Sequence, residues 1–270
     1  MSNIENAGGQ FILYFSIAGF CYNTSVGNKI ENKIRHYTIF GGDRFETRAV
    51  GNSAGRRIWL IPGLGNGIES YNWNLSTEEQ RQKSGLGENF MTSLQDKLAE
   101  KYYVGCADPP GYGSNMGHPA VLDDYMSHIR DFGPDIIIGR SIGGRLAQYY
   151  GEKYKLPYIM LDPTPDYVLD SVYAKYVDSR DLSIAKYRKT AEFLQMVDNV
   201  KAEIQEMQMR PAVIIWSVDE NDPGVAAKKA YFDSLDCNKI MLHNATHWVH
   251  ITHPDVVRDE IEKVLTQGGF

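Results

Sequence analysis

A series of short apolar runs constrains this chain more than any other feature. Ile58-Trp59-Leu60-Ile61, Tyr102 to Ala107, Ile136-Ile137-Ile138, Tyr158 to Leu161 and Ala212 to Trp216 are apolar without alternation and too short for helices. Such runs fit strands buried on both faces. Stretches of helical length lie between them. Phe90, Leu94 and Leu98 repeat every fourth residue in a segment beginning near Glu88. A short helix is predicted around Leu122 to Ile129, and Leu146, Ala147, Tyr150 and Tyr154 mark another. Ile240 to Leu242 is the last strand. A closing helix follows, with Pro254 in its first turn and Val256, Val257, Ile261, Val264 and Leu265 on its apolar side. Strands alternating with helices imply an α/β fold with a mainly parallel sheet flanked by helices on both faces. His36 to Phe40 and Phe45 to Val50, separated by Gly41-Gly42-Asp43, read as a hairpin that adds antiparallel strands at one edge.

The stretch Asp166 to Arg210 breaks the alternation. It separates two strands and reads as helical throughout, with Ile184, Tyr187, Ala191, Leu194, Val197, Val200, Ile204 and Met207 at three-or-four spacing. Its length favours an inserted helical cap over a plain crossover helix. The expected organisation is an N-terminal extension over 1–35, a core formed by 36–165 and 211–270, and the cap over 166–210.

A length of 270 residues suits one large domain carrying such an insertion. The net charge of −6 works against a nucleic-acid partner, which needs a clustered basic surface. Cys21, Cys106 and Cys237 are odd in number and widely spaced, which suits a reduced compartment and offers no CxxC metal pattern. Phe11 to Tyr22 is apolar but too short to span a bilayer. The residues before it contain Glu5 and no Lys or Arg, unlike the start of a signal peptide. The expectation is a cytoplasmic protein with no membrane span.

In a parallel sheet, ligands bind beyond the carboxyl ends of the strands, so chemistry is sought in the loops that follow them. Gly139-Arg140-Ser141-Ile142-Gly143-Gly144 follows the Ile136–Ile138 strand and opens a helix, which is the strand–turn–helix context a GxSxG pattern needs. Small residues at 139 and 143 let strand and helix approach closely, and Ser141 projects from the sheet as candidate nucleophile. The competing role is that of a helix-capping serine in a glycine-rich turn. A serine nucleophile needs a base and an oriented acid. His247, after the last strand, is the candidate base. His250 and His253 stand close by, but no carboxylate or cysteine pattern accompanies them, so a metal site is not expected. Asp222, before a proline in the loop after Trp216, is the first candidate acid. Asp219 is second and Asp162, at the end of the Tyr158–Leu161 strand, is third. Each could equally be a turn or cap aspartate. The N–H groups of Ile142 and of Leu64, in the run Pro62-Gly63-Leu64-Gly65-Asn66-Gly67, are the expected oxyanion donors.

Together these residues resemble the α/β-hydrolase superfamily, from about His36 to the chain's end. The Pro62-Gly63-Leu64-Gly65 turn, Asp108-Pro109-Pro110-Gly111-Tyr112-Gly113-Ser114, the elbow at Ser141 and His247-Trp248-Val249-His250-Ile251-Thr252-His253-Pro254 carry the resemblance. It implies Ser141 as nucleophile, His247 as general base and then acid, Asp222 as orienter, and Leu64 and Ile142 as oxyanion donors. Pro62 stands where many relatives have His, and Arg140 stands where His, Tyr or Trp usually precedes the nucleophile. Thioesterase-like relatives often place the acid where this chain has Asp162. Epoxide hydrolase and haloalkane dehalogenase relatives use Asp where Ser141 stands. The expected activity is cleavage of a small-molecule ester or thioester with an apolar portion, without metal or organic cofactor. Acyl transfer, C–C hydrolysis or lyase chemistry could use the same residues, and a non-catalytic receptor or scaffold is the alternative of another class.

Overall fold

The structure is a computed structural model that describes residues 45, 47–64, 67–72, 78, 82, 93–111, 115–221, 224–243 and 245–267. Its strands are β1 (Thr47–Val50), β2 (Arg57–Ile61), β3 (Tyr103–Ala107), β4 (Ile136–Arg140), β5 (Tyr158–Leu161), β6 (Val213–Val218) and β7 (Lys239–His243). They form one sheet in the order β1-β3-β2-β4-β5-β6-β7. Only β1 runs antiparallel, with Val50 opposite Val104 of β3. All other pairs are parallel. The described helices are α1 (Leu94–Leu98), α2 (Leu122–Phe132), α3 (Ile142–Tyr154), α4 (Asp166–Asp178), α5 (Ala185–Asp198), α6 (Lys201–Glu206), α7 (Val225–Asp233), α8 (Val249–Thr252) and α9 (Pro254–Gln267).

The unalternating apolar runs have a direct structural cause. Successive side chains of a strand point to opposite faces, and here both faces are covered. Trp59, Ile61, Ile137, Met160, Ile214 and Trp216 pack on one side with α2 and α3. Ile58, Leu60, Ile138, Ile159, Leu161 and Ile215 pack on the other with α1 and α9. β7 differs, since its residues alternate between exposed and half-buried at the end of the sheet.

The sequence reading and the structure differ at several boundaries. The first hairpin strand, His36 to Phe40, and the apolar segment Phe11 to Tyr22 lie outside the described residues, as do residues 88–92 of the helix expected from Glu88. The stretch 166–210 is not continuously helical. It forms α4, α5 and α6, broken first around Asp181, whose side chain accepts from the Ser183 N–H at 3.0 Å and so offers the backbone a turn in place of a helix. Helix α7 lies in a stretch with no predicted element.

The three helices between β5 and β6 are tied to the sheet through α3. Arg145 is fully buried, pairs with Asp166 at the start of α4, and donates to Tyr231 Oη of α7 at 3.1 Å. Gln148, one turn along, donates to the Ile204 carbonyl of α6 at 3.2 Å. Between β4 and α3 the packing is closer still. A Cβ on Gly139 would lie 2.1 Å from the Gly143 carbonyl oxygen, and one on Gly143 would lie 2.3 Å from that of Pro62. Neither neighbour is a flexible side chain that could move aside. Gly143→Ala is therefore expected to lower the unfolding free energy by about 1–3 kcal/mol. The readout is a lower urea midpoint at unchanged slope, and an unchanged midpoint would contradict this packing.

Candidate active site

Residues at the carboxyl ends of β2, β4, β5 and β6, and in the loop after β7, meet at one end of the sheet. Ser141 follows the last residue of β4 with φ 54° and ψ −125°, a conformation costly for any residue but glycine. It occupies the N-cap position of α3, yet its side chain makes no capping hydrogen bond. The competing role as a helix-capping serine is therefore not the one seen. Backbone bonds hold the strained turn in place. Ser141 N–H donates to the Leu161 carbonyl at 3.0 Å, and the Ser141 carbonyl accepts from Gly144 at 2.9 Å and Thr164 at 3.3 Å.

Those bonds also explain how an acid reaches the same place. Arg140 pairs with Leu161 across β4 and β5, so Ser141 and Asp162 are the next residues on adjacent strands. Asp162 also has positive φ, at 43°, and is 2% exposed. His247 Nδ1 lies 2.5 Å from Asp162 Oδ2. Because the partner of Nδ1 is an acceptor-only carboxylate, Nδ1 carries the proton and Nε2 is left as the accepting nitrogen. Ser217 donates twice to the same carboxylate, from its N–H to Oδ1 at 2.8 Å and from its hydroxyl to Oδ2 at 3.0 Å. Lys228 Nζ completes the set at 2.7 Å from Oδ1.

Burial pushes the Asp162 carboxyl upward, but the His247 and Lys228 contacts outweigh it and hold the group below its ordinary value of 3.8. Of the other candidate acids, Asp222 lies outside the described residues. Asp219 Oδ1 accepts from the Asn221 backbone at 2.9 Å and side chain at 3.2 Å, the use expected of a turn aspartate. Among the described carboxylates, the one bonded to His247 is Asp162. Its signal in the sequence was the strand-ending Leu161-Asp162 step directly after the elbow strand.

The three neighbouring histidines go to separate partners. His250 is buried and its Nε2 donates to the Ser70 carbonyl at 2.7 Å. Burial, reinforced by the charge of Arg140, keeps it well below the usual histidine range and so neutral. His253 Nδ1 lies 3.0 Å from Thr252 Oγ1. Among the described residues, no cluster of three or more histidine, cysteine or carboxylate side chains is arranged to hold a metal.

Ile142 is the first residue of α3, directly after Ser141. The turn after β2 packs against the same spot, since a Cβ on Gly63 would sit 3.1 Å from Ser141 Cβ and 2.8 Å from Arg140 Nη2. Leu64 follows, half-buried against the core. Arg140 is 2% exposed and its guanidinium carbon stands 3.9 Å from the centre of the Trp248 ring. Burial lowers it to about 10, which leaves it charged at neutral pH. Sequence reasoning noted Arg140 only as a departure and did not find Ser217 or Lys228 at all.

A cleft of about 640 Å3 borders His247 and Asp162, with Asp219, Val225, Lys228 and Thr246 in its walls. Ile142 also lines a very small gap with Leu169 and Val172 of α4 and Leu194, Val197 and Asp198 of α5. Among the described residues, no helix is long and apolar enough to cross a membrane.

No protein-family model matches the sequence, and no curated protein matches it. Solved structures do match. A candidate lipase from Acinetobacter baumannii AYE is 17% identical with a TM-score of 0.54, over 82% of this chain and 88% of that one. E-2-(acetamidomethylene)succinate hydrolase is 15% identical with a TM-score of 0.52, over 82% and 94%. A structure from a study of metagenomic epoxide hydrolases of the α/β-hydrolase superfamily is 14% identical with a TM-score of 0.51, over 83% and 95%. At these identities the likeness establishes the fold, and it is the α/β-hydrolase fold.

The Asp162 contacts bear on stability as well as geometry. A carboxylate held below its unfolded value contributes stability above that value and loses it as pH falls through the native one. Acid unfolding should therefore steepen below the ordinary value of 3.8. Asp162→Asn should flatten that part of the stability–pH curve, followed by urea unfolding at graded pH. An unchanged slope would mean the carboxylate is not held as described.

Proposed function

We propose that this protein is a serine hydrolase that cleaves an ester or thioester through an acyl-enzyme on Ser141. The observation that carries the reading is the juxtaposition of two strained residues on adjacent strand ends. One is Ser141, whose hydroxyl is not engaged in capping, and the other is Asp162, bonded to the Nδ1 of His247.

The chemistry follows from that placement. Ser141 Oγ attacks the substrate carbonyl carbon as its proton passes to His247 Nε2. Asp162 fixes the imidazole tautomer and stabilises the imidazolium. The Ile142 and Leu64 N–H groups donate to the oxyanion. Collapse of the tetrahedral intermediate breaks the bond to the alcohol or thiol, which takes the proton from His247. Water, deprotonated by the same imidazole, then attacks the acyl carbonyl and releases the acid and free Ser141. No metal or organic cofactor takes part. An acid at the end of β5 is the arrangement the thioesterase resemblance carries, which favours a thioester substrate. A serine at the elbow supports acyl rather than alkyl-enzyme chemistry.

A fluorophosphonate probe should label the wild-type protein and not Ser141→Ala. Wild type that stays unlabelled, and hydrolyses neither p-nitrophenyl esters nor acyl thioesters, would instead support a receptor or scaffold on the same fold. Among the acids, Asp162→Asn should lower kcat by about 10⁴-fold, as for loss of the orienting carboxylate in such triads, with Asp219→Asn close to wild type. The assignment of the acid fails if Asp162→Asn keeps nearly full activity while Asp222→Asn loses it.

A further inference from the structure

The Asp162 carboxylate is held from a side that acyl transfer does not use. Lys228 Nζ lies 2.7 Å from Asp162 Oδ1, 2.9 Å from the Ser217 carbonyl oxygen and 3.0 Å from Ser217 Oγ. All three donors of the ammonium are thereby engaged. Its side chain is 19% exposed, and the Trp216 ring lies 5.8 Å away. Ser217 relays the contact, because its hydroxyl accepts from Lys228 and donates to Asp162 Oδ2. The two oxygens are thus divided. Oδ1 takes Lys228 and the Ser217 N–H, while Oδ2 takes the Ser217 hydroxyl and His247.

A buried pair of this kind adds little net stability, because desolvation offsets the attraction. Its effect falls on the acid instead. We propose that Lys228 is a positioning residue of the Ser141 site, clamping Asp162 with Ser217 so that Oδ2 faces His247 and the carboxylate stays ionised. The proposal rests on the acyl-enzyme reading above. Several charged or titratable groups surround the Asp162–His247 pair. Lys228 reaches it from α7, and the charge of Arg140 at the end of β4 is felt by Asp162. Asp219 lines the same cleft from the loop after β6, and His250 of α8 interacts with His247. Lys228 is the cation in hydrogen-bond contact with Asp162 among the described residues. Without it, the carboxylate keeps the Ser217 and His247 contacts but loses its cationic partner and one hold on Oδ1, and the coupled pair takes up a proton at higher pH.

The test compares kcat/KM against pH for wild type, Lys228→Met and Lys228→Arg, with an acyl thioester and a p-nitrophenyl ester. In Lys228→Met the acid limb should move up by about one unit or more, the size expected for loss of an opposite charge at this distance. Below the limb that is a loss of about tenfold or more, carried by kcat and not KM. Lys228→Arg should restore much of the profile. A folded Lys228→Met whose limb coincides with wild type overturns the proposal. Should Lys228→Met fail to fold, Ser217→Ala provides a second variant, with a smaller shift in the same direction expected and no shift counting against the clamp. Isotope-edited NMR titration of the histidine rings in Ser141→Ala, with and without the Lys228 substitution, reads the same shift without turnover. An unlabelled, inactive wild type would then refute the acyl-enzyme reading, while the NMR titration still decides for or against Lys228.

Discussion

A carboxylate removed from water must be given donors from the protein, and the demand is severe because an unpaired buried charge costs several kcal/mol. Asp162 meets it with four contacts drawn from three places along the chain. Ser217 lies in β6, Lys228 belongs to α7 and His247 follows β7. None of these segments is near Asp162 in sequence, so satisfying one oxygen pair fixes the mutual positions of β5, β6, α7 and the histidine loop. The fold's right half is organised around this single group. Ser141 is brought to it by register alone, one residue beyond the Arg140–Leu161 pair.

The left half is governed by absence of side chains. The carbonyls of Pro62 and Gly143 approach positions 143 and 139 so closely that a methyl group fits at neither. That proximity brings the turn after β2 under the elbow and sets the Leu64 segment beside Ser141. Two opposite devices, a group that must be surrounded and two positions that must stay empty, therefore meet at the same strand end.

Much of this was legible in the sequence because its causes are local. Runs such as Ile58–Ile61 and Ile136–Ile138 announce strands covered on both faces, and GxSxG announces the turn. The carboxylate partner of His247 was not legible in the same way. In the sequence, Asp162, Asp219 and Asp222 all follow expected strands beside turn-forming residues, so local chemistry ranks them alike, and only strand order makes Asp162 the neighbour of Ser141. Lys228 was hidden for a related reason. Its helix buries only Phe232 and lacks a pronounced apolar stripe, and its partners lie 11 and 66 positions away. The breaks within 166–210 leave no mark in the sequence pattern, because the three-or-four spacing of Ile184 to Met207 runs across the one between α5 and α6.

Strand β7 gives the arrangement an asymmetry. Ser141 and Asp162 are rooted in strands at the buried middle of the sheet, whereas His247 hangs from the last strand, whose residues are all exposed or half-buried. His247 itself leaves 48% of its side chain in solvent. Regions with few buried apolar contacts open at lower free energy than the core. On heating, His247 is expected to leave first while the strand that carries Ser141 is still folded, so the Asp162–His247 contact is lost as a local event before the molecule as a whole melts.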